Sequence, residues 1–310
     1  MKILIAGATG AIGQALLRQL YGRGDVVMGM VRSAAAAQSL SALGAEPVIA
    51  DAFDTSAVAE ALRRVRPDVV INELTALPKH YTPGDMQAAA EHDRKVRVAG
   101  NINLLAGMQA AGVRRYLLQS SALWYEPGPT LAKEDAHFAF EASPGIAAGT
   151  RTYAELESAA FNTGGVEVVA LRYGFFYGPG TWYTKDGDIG DQVRQRQVPI
   201  VGAGRGVSSY VHIDDAAAAT VAAFHCAPGV YNISDDDPSE QRIWLPAFAR
   251  YADAPEPPHV TEEQALQSVG ADVVYYATRL RGASNAKAKR ELDFHPRPLE
   301  WLHTTKAGED

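Results

Sequence analysis

Tyr153 stands in the stretch GTRTYAELESAAF, residues 149–161, whose spacing predicts a helix, and Glu157 follows it by four residues. A tyrosine hydroxyl can pass a proton to a substrate, but its pKa is about 10, so work near neutrality needs a nearby cation. Glu157, one helical turn on, would push that pKa up rather than down. No lysine occurs between Lys133 and Lys185. A second hydroxyl, Ser121 in QSSALWY, closes an apolar run. Gly7-Ala8-Thr9-Gly10-Ala11-Ile12-Gly13 forms a GxxGxxG loop, preceded by a strand-like run and followed by helical spacing. In that context glycines let the chain turn tightly and approach a pyrophosphate, while the helix N-terminus supplies N–H donors.

The elements that must position these residues follow from periodicity. KILIA, DVVMGMV, EPVIAD, PDVVIN, VRRYLLQS and VEVVALR are near-continuous apolar runs separated by segments of helical spacing. That order predicts an α/β fold, a doubly wound parallel sheet of Rossmann type with helices on both faces. A long helix is expected from about 85 to 111, and another over 147–163. VSSYVHI and GVYNIS read as strands returning to the main sheet. The pattern frays after residue 178, so a small discontinuous C-terminal substrate region is expected. The division is 1–177 with 206–233 for nucleotide binding, and 178–205 with 234–310 for substrate.

Strand two ends Met30-Val31-Arg32-Ser33 with no acid to take ribose hydroxyls. Arg32 and Ser33 suit a 2′-phosphate instead, so NADP(H) is favoured over NAD(H). Asp51, followed by Ala52, is placed to accept from the adenine amine or to cap the third helix, for which Asp54 and Thr55 are the other candidates.

The 310 residues carry a net charge of −7, with 47% hydrophobic content. That balance argues against nucleic-acid or anionic-membrane surfaces, and no long apolar run predicts a span. The single cysteine, Cys226, excludes an internal disulfide and a cysteine-rich metal site, and a cytoplasmic home is the simplest expectation. His80-Tyr81 and Glu91-His92-Asp93-Arg94 carry no metal spacing and read as a solvated face. Asp214-Asp215 read as the N-cap of the helix that follows.

GATGAIG, IADAFD, QSSALWY, LRYGFFYGPG, YVHIDDAAAA and SNAKAKREL, in that order, resemble the extended and atypical short-chain dehydrogenase/reductase superfamily, the NAD(P)-dependent epimerase/dehydratase group. The resemblance spans essentially the whole chain. It implies that Leu74, Thr75 and Ala76 border the cofactor and that Ser121 holds a substrate oxygen beside the nicotinamide. It further implies a tyrosine acid/base with a lysine four residues on, which tunes the tyrosine and holds the ribose. Relatives often dimerise through the helices flanking strand five, so a homodimer is an expectation by resemblance.

The chain departs from that pattern in two ways. Either Tyr153 is the tyrosine and Glu157 replaces the lysine, or Glu157 matches a later family glutamate, so that Tyr153 stands at the lysine position and Gly149 at the tyrosine position. Tyr153 unassisted, Tyr125 or Arg151 are the conceivable substitutes. On the substrate side, Phe175 replaces a family asparagine, and Ser208-Ser209 replace an arginine-aspartate pair. Trp124, Tyr125, Phe175, Phe176, Tyr177, Trp182 and Tyr183 gather there instead, which favours an apolar or aromatic small-molecule substrate. The expectation is an NADP(H)-dependent oxidoreductase passing a hydride to or from a carbonyl or alcohol, with Ser121 and Tyr153 as the catalytic pair. A sugar-nucleotide epimerase/dehydratase and a non-catalytic NADP(H)-sensing binding protein are the alternatives.

Overall fold

The computed structural model describes residues 1–303. The C-terminal end of the expected substrate region, 304–310, lies outside them. Seven strands form one parallel sheet: β1 (Lys2–Ala6), β2 (Val26–Val31), β3 (Glu46–Ile49), β4 (Val69–Asn72), β5 (Arg115–Ser121), β6 (Glu167–Tyr173) and, after four short strands, β11 (Gly229–Ile233). Their order is β3-β2-β1-β4-β5-β6-β11. The order reverses between β1 and β4, which opens the crevice where such sheets take ligands.

Both faces of the sheet are covered because every inner strand is apolar on both sides. One layer holds α1 (Ala11–Leu20), α2 (Ala34–Ala42) and α7 (Ile213–Ala222), packed through Leu16, Leu20, Leu40 and Ala217 onto Ile3, Ile5, Ile71 and Val169. The other holds α3 (Thr55–Val65), α4 (Pro83–Ala111) and α5 (Pro144–Phe161), packed through Leu62, Leu104, Met108 and Leu156 onto Leu4, Val70 and Leu118. Asp54, not Thr55, caps α3, accepting from Ala57 N at 2.9 Å.

Short ladders carry the rest: β7 (Phe175–Tyr177) with β10 (Tyr210–His212), β8 (Ile200–Val201) with β13 (His259–Val260), and β9 (Val207–Ser208) with β12 (Ser239–Glu240). The expectation that VSSYVHI joins the main sheet is therefore corrected. The segment stays outside the main sheet and splits its side chains. Val211 and Ile213 pack in the main core, while Tyr210 joins a second core with α6 (Asp188–Arg194), α8 (Gln241–Tyr251) and α12 (Glu300–His303), centred on Tyr183, Tyr210, Trp244, Phe248 and Trp301. Two further helices, α9 (Glu262–Ser268) and α10 (Ala271–Thr278), lie at its edge, with α10 touching α5. The expected division is crossed once more by α11 (Ala286–Glu291). Ala288, Leu292 and Phe294 pack into the nucleotide-domain core.

His212, not Asp214 or Asp215, is the N-cap of α7, its ring accepting from Asp214 N at 3.1 Å. The two aspartates sit in the first helical turn and pair with Arg18 and Arg297.

Candidate active site

The glycine loop joins β1 to α1 at the crevice. Gly7 has φ +92°, and a Cβ there would strike the Glu73 carbonyl at the end of β4. Gly10 caps α1 with no side-chain hydrogen bond, which leaves the first-turn N–H groups for an anion. Thr9 is exposed with its carbonyl accepting from Gln14 Nε2, Ala11 begins the helix, and Ile12 anchors it in the core. The cradle therefore fits a dinucleotide pyrophosphate.

Arg32 is exposed after β2 and has no ion pair among the described residues. Ser33 caps α2, its hydroxyl oxygen accepting from Ala36 N at 3.3 Å, so its proton is free to donate. Asp51 does not cap α3. Its carboxylate accepts from Phe53 N at 3.0 Å and lines an open cleft of about 570 Å³ with Phe53, Asp54, Thr55 and Ser56. Ala52 is buried, and its carbonyl accepts from Asn103. Leu74, Thr75 and Ala76 form the half-buried loop after β4, with Leu74 N held by Asn72 and Ala76 N by Asp93 at 2.6 Å.

Ser121 is buried at the end of β5, opposite Tyr173, and its hydroxyl accepts from Leu123 N at 3.2 Å. The helix that follows is arranged differently from expectation. Glu157 does not act on Tyr153. It is buried and gives both carboxylate oxygens to Arg172, at 2.8 and 2.6 Å, while accepting from Ser120 Oγ at 2.5 Å. Gly149 lies under the Trp124 indole, which a Cβ would meet at 2.5 Å. The Trp124 ring lies 5.5 Å from that of Tyr153. Arg151 reaches the Phe140 carbonyl and supplies no cation to Tyr153.

The cation beside Tyr153 comes from elsewhere. Arg97 of α4 is buried, and its guanidinium carbon lies 5.1 Å from the Tyr153 ring centre. Its Nε donates to Asp93 at 2.6 Å and its Nη1 to Gln119 at 3.1 Å. The reading of Glu91–Arg94 as a solvated face is thus corrected for Asp93, which turns inward to bridge Arg97 and the Ala76 loop. The i,i+4 spacing of Asp93 and Arg97 was the available sequence signal. Burial raises the Tyr153 pKa and the Arg97 charge opposes it, with Asp93 and Glu73 adding to the rise. Tyr153 therefore remains a neutral hydrogen-bond donor near pH 7.

Glu73 was not singled out by its sequence. It is buried, accepts from Tyr173 Oη at 3.3 Å, and burial pushes its pKa up to about 8 against the Tyr173 hydrogen bond and the Arg97 charge. Between its unfolded value, about 4.3, and about 8, the folded chain holds a proton that the unfolded chain has released. Stability must fall as pH rises through that window, by at most about 1.4 kcal/mol per unit from this group. Asp235, also buried and pushed up to about 8, acts in the same direction. Thermal melts from pH 5 to 8 should show the decline, and Glu73→Gln should flatten it. An equal slope in that variant would remove Glu73 as a cause.

On the substrate side the aromatic residues divide. Tyr125 and Tyr177 are corrections. Both are fully buried, with Tyr125 Oη bound to Asn232 and Arg172, and Tyr177 Oη donating to the Pro298 carbonyl. Phe176 packs on Tyr173 against the nucleotide-domain core. Trp124, Phe175 and Trp182 are half-buried and meet residues that sequence reading missed or misplaced. Trp124 Nε1 donates to Tyr276 Oη at 3.0 Å, Phe175 lies 5.9 Å from the Tyr276 ring, and Trp182 stacks on Tyr81 at 4.6 Å. Tyr81 belongs to this wall, not to a solvated face: its ring stacks on Trp182 and packs in the second core. Tyr276 escaped notice because it comes from α10, distant in sequence from every motif.

A family model described as the NAD dependent epimerase/dehydratase family matches residues 3–234. A 3-diazoavenalumate denitrifying reductase from a Streptomyces species is 38% identical over 304 residues, covering 97% of this chain and 98% of that protein. A 2-alkyl-3-oxoalkanoate reductase from Stenotrophomonas maltophilia is 26% identical over 91% of this chain and 86% of its own. Among solved structures, the UDP-glucose 4-epimerase of Thermus thermophilus in complex with NAD superposes with a TM-score of 0.73 at 22% identity, covering 97% of this chain and 96% of that one. Among the described residues no helix is long and apolar enough to cross a membrane.

Proposed function

Because the chain belongs to the NAD-dependent epimerase/dehydratase family, we propose that it is an NAD(P)H-dependent reductase that delivers hydride to an aromatic, largely apolar acceptor. The observation that carries this reading is the rebuilt α5. Gly149 is covered by Trp124, Tyr153 stands beside Arg97, and Glu157 is consumed by Arg172. The glycine loop keeps the geometry a dinucleotide would need, while a tyrosine tuned by a lysine on the same helix is absent.

The bound dinucleotide supplies the hydride. The loop of Gly7 to Gly13 would hold its pyrophosphate, Arg32 and Ser33 a 2′-phosphate, and Asp51 its adenine. Trp124, Phe175 and Tyr276 would press an aromatic acceptor flat and exclude water. An acceptor that needs no positioned acid suits this site best. An arenediazonium group takes hydride on its terminal nitrogen. The resulting aryldiazene then moves its hydrogen to the ring carbon as dinitrogen leaves, so no outside proton enters. The name of the 38% identical Streptomyces reductase points the same way. Carbonyl reduction is the second reading, favoured by the Ser121 hydroxyl, which would hold the oxygen while neutral Tyr153 or water donates the proton. The aromatic wall argues against a nucleotide sugar.

Oxidation of NADPH, followed at 340 nm against aryl diazonium acids, aryl ketones and UDP-sugars, tests the reading. Diazo compounds should be reduced with release of dinitrogen. Tight NADPH binding with no turnover on any of them would favour a binding protein and overturn the proposal. NADPH should also bind more tightly than NADH, and the reverse order would take Arg32 out of the site.

A further inference from the structure

The resemblance implies a lysine that holds the nicotinamide ribose, and α5 carries no lysine at all. We propose that Arg97, reaching in from α4 and pinned by Asp93 and Gln119, is the cation that positions the nicotinamide-ribose end of the dinucleotide together with Tyr153. This deepens the reductase reading by naming the anchor of its reactive half.

Burying a guanidinium costs several kcal/mol unless it is paired and hydrogen-bonded, so the position of each buried arginine needs a reason. Three are buried among the described residues: Arg97, Arg115 and Arg172. Arg115 opens β5, at the far end of the sheet, and donates to the Ala223 and Cys226 carbonyls. Arg172 spends four hydrogen bonds on Glu157, Tyr125 and the Glu134 carbonyl. No lysine is buried among those residues. Arg172 also stands near the strand C-terminal edge, paired with Ser120, but its N–H groups are spent on the core; Arg97 is the buried arginine that meets Gln119 where β5 runs past the end of β4.

The contacts also tie Arg97 to both neighbours of the expected ribose. Asp93 uses one oxygen for Arg97 Nε and the other for Ala76 N, on the loop bordering the cofactor. The guanidinium lies over Tyr153, the residue that occupies the lysine position once Gly149 is matched to the tyrosine. Arg97 is therefore a positioning residue: through Asp93 it braces the loop on one side, and its guanidinium covers the Tyr153 ring on the other.

Fluorescence titration of Arg97→Met with NADPH and with 2′,5′-ADP separates this role from a structural one. The second ligand lacks the nicotinamide and its ribose. NADPH affinity should fall about tenfold or more while 2′,5′-ADP stays within about twofold. Arg97→Lys should recover part of the loss. Unchanged NADPH binding, or parallel loss of both ligands, would overturn the proposal. Should the methionine variant fail to fold, Arg97→Gln, which keeps a side-chain amide for Asp93 or Gln119, carries the same comparison. If NADH is the better cofactor, NADH and ADP replace the pair. These readouts need no turnover, so the absence of any reducible acceptor would sink the function proposed above and leave this comparison intact.

Discussion

Arg172→Met should lower the stability of the fold by about 3–5 kcal/mol, because it strands the Glu157 carboxylate in the core. The native guanidinium makes two bonds to that carboxylate and two more from Nη1, to Tyr125 Oη at 2.9 Å and the Glu134 carbonyl at 3.0 Å, and it covers the Phe138 ring at 4.2 Å. Little water reaches this pair, since both side chains are less than one-tenth exposed. At about 2–4 °C per kcal/mol for a chain of this order, the melting point should drop by roughly 10 °C. Adding Glu157→Leu should return much of the loss, because an apolar pair leaves no orphaned charge. A midpoint within about 1 °C of the parent would show that Glu157 finds another partner or a proton. The pair links α5 to β5 and β6 through Ser120 and Arg172, so it fixes where Gly149 and Tyr153 stand. The single variant should therefore also weaken turnover, although neither residue touches a reacting atom.

Gly13→Ala should weaken dinucleotide binding by about 100-fold, equivalent to about 2.7 kcal/mol. A Cβ at Gly13 would collide with the Gly7 carbonyl and stand 2.7 Å from the Ala8 carbonyl carbon. Both obstacles are backbone, so relief requires α1 to back away from the loop it helps to form. That movement takes the first-turn N–H groups away from the pyrophosphate. The fold should suffer less than the site, because Leu16, Leu17 and Leu20 still hold α1 on the sheet. Titration of NADPH fluorescence measures the effect. A dissociation constant within about twofold of the parent would mean that α1 does not carry the pyrophosphate.

Much of this was legible because it is local. A glycine loop between an apolar strand and an amphipathic helix identifies itself over a dozen residues, and so do alternating apolar runs and helical segments. The sheet, α1 and the candidate glycine loop followed from such spans, whereas Leu74, Thr75 and Ala76 were implied only by the family resemblance. Tyr125 and Tyr177 read as substrate residues because their motif ends at the sheet edge. Which way each ring turns depends on partners more than a hundred residues away, Asn232 and Pro298.

The puzzle of Tyr153 and Glu157 shows the same limit. Their spacing alone placed a carboxylate near a tyrosine, with no lysine to oppose it. A side chain four residues along a helix can instead turn to a neighbour with a stronger claim, and Arg172 on β6 has that claim on Glu157. The sequence by itself determined the doubly wound framework, the glycine loop proposed as the dinucleotide cradle, and the absence of the lysine that the resemblance implies. Only the tertiary structure decided that Trp124 covers Gly149, that Glu157 serves the core, and that Arg97 supplies the charge beside Tyr153. The reason is physical: periodicity says which residues share a face, while packing and the cost of burying charge decide what that face meets.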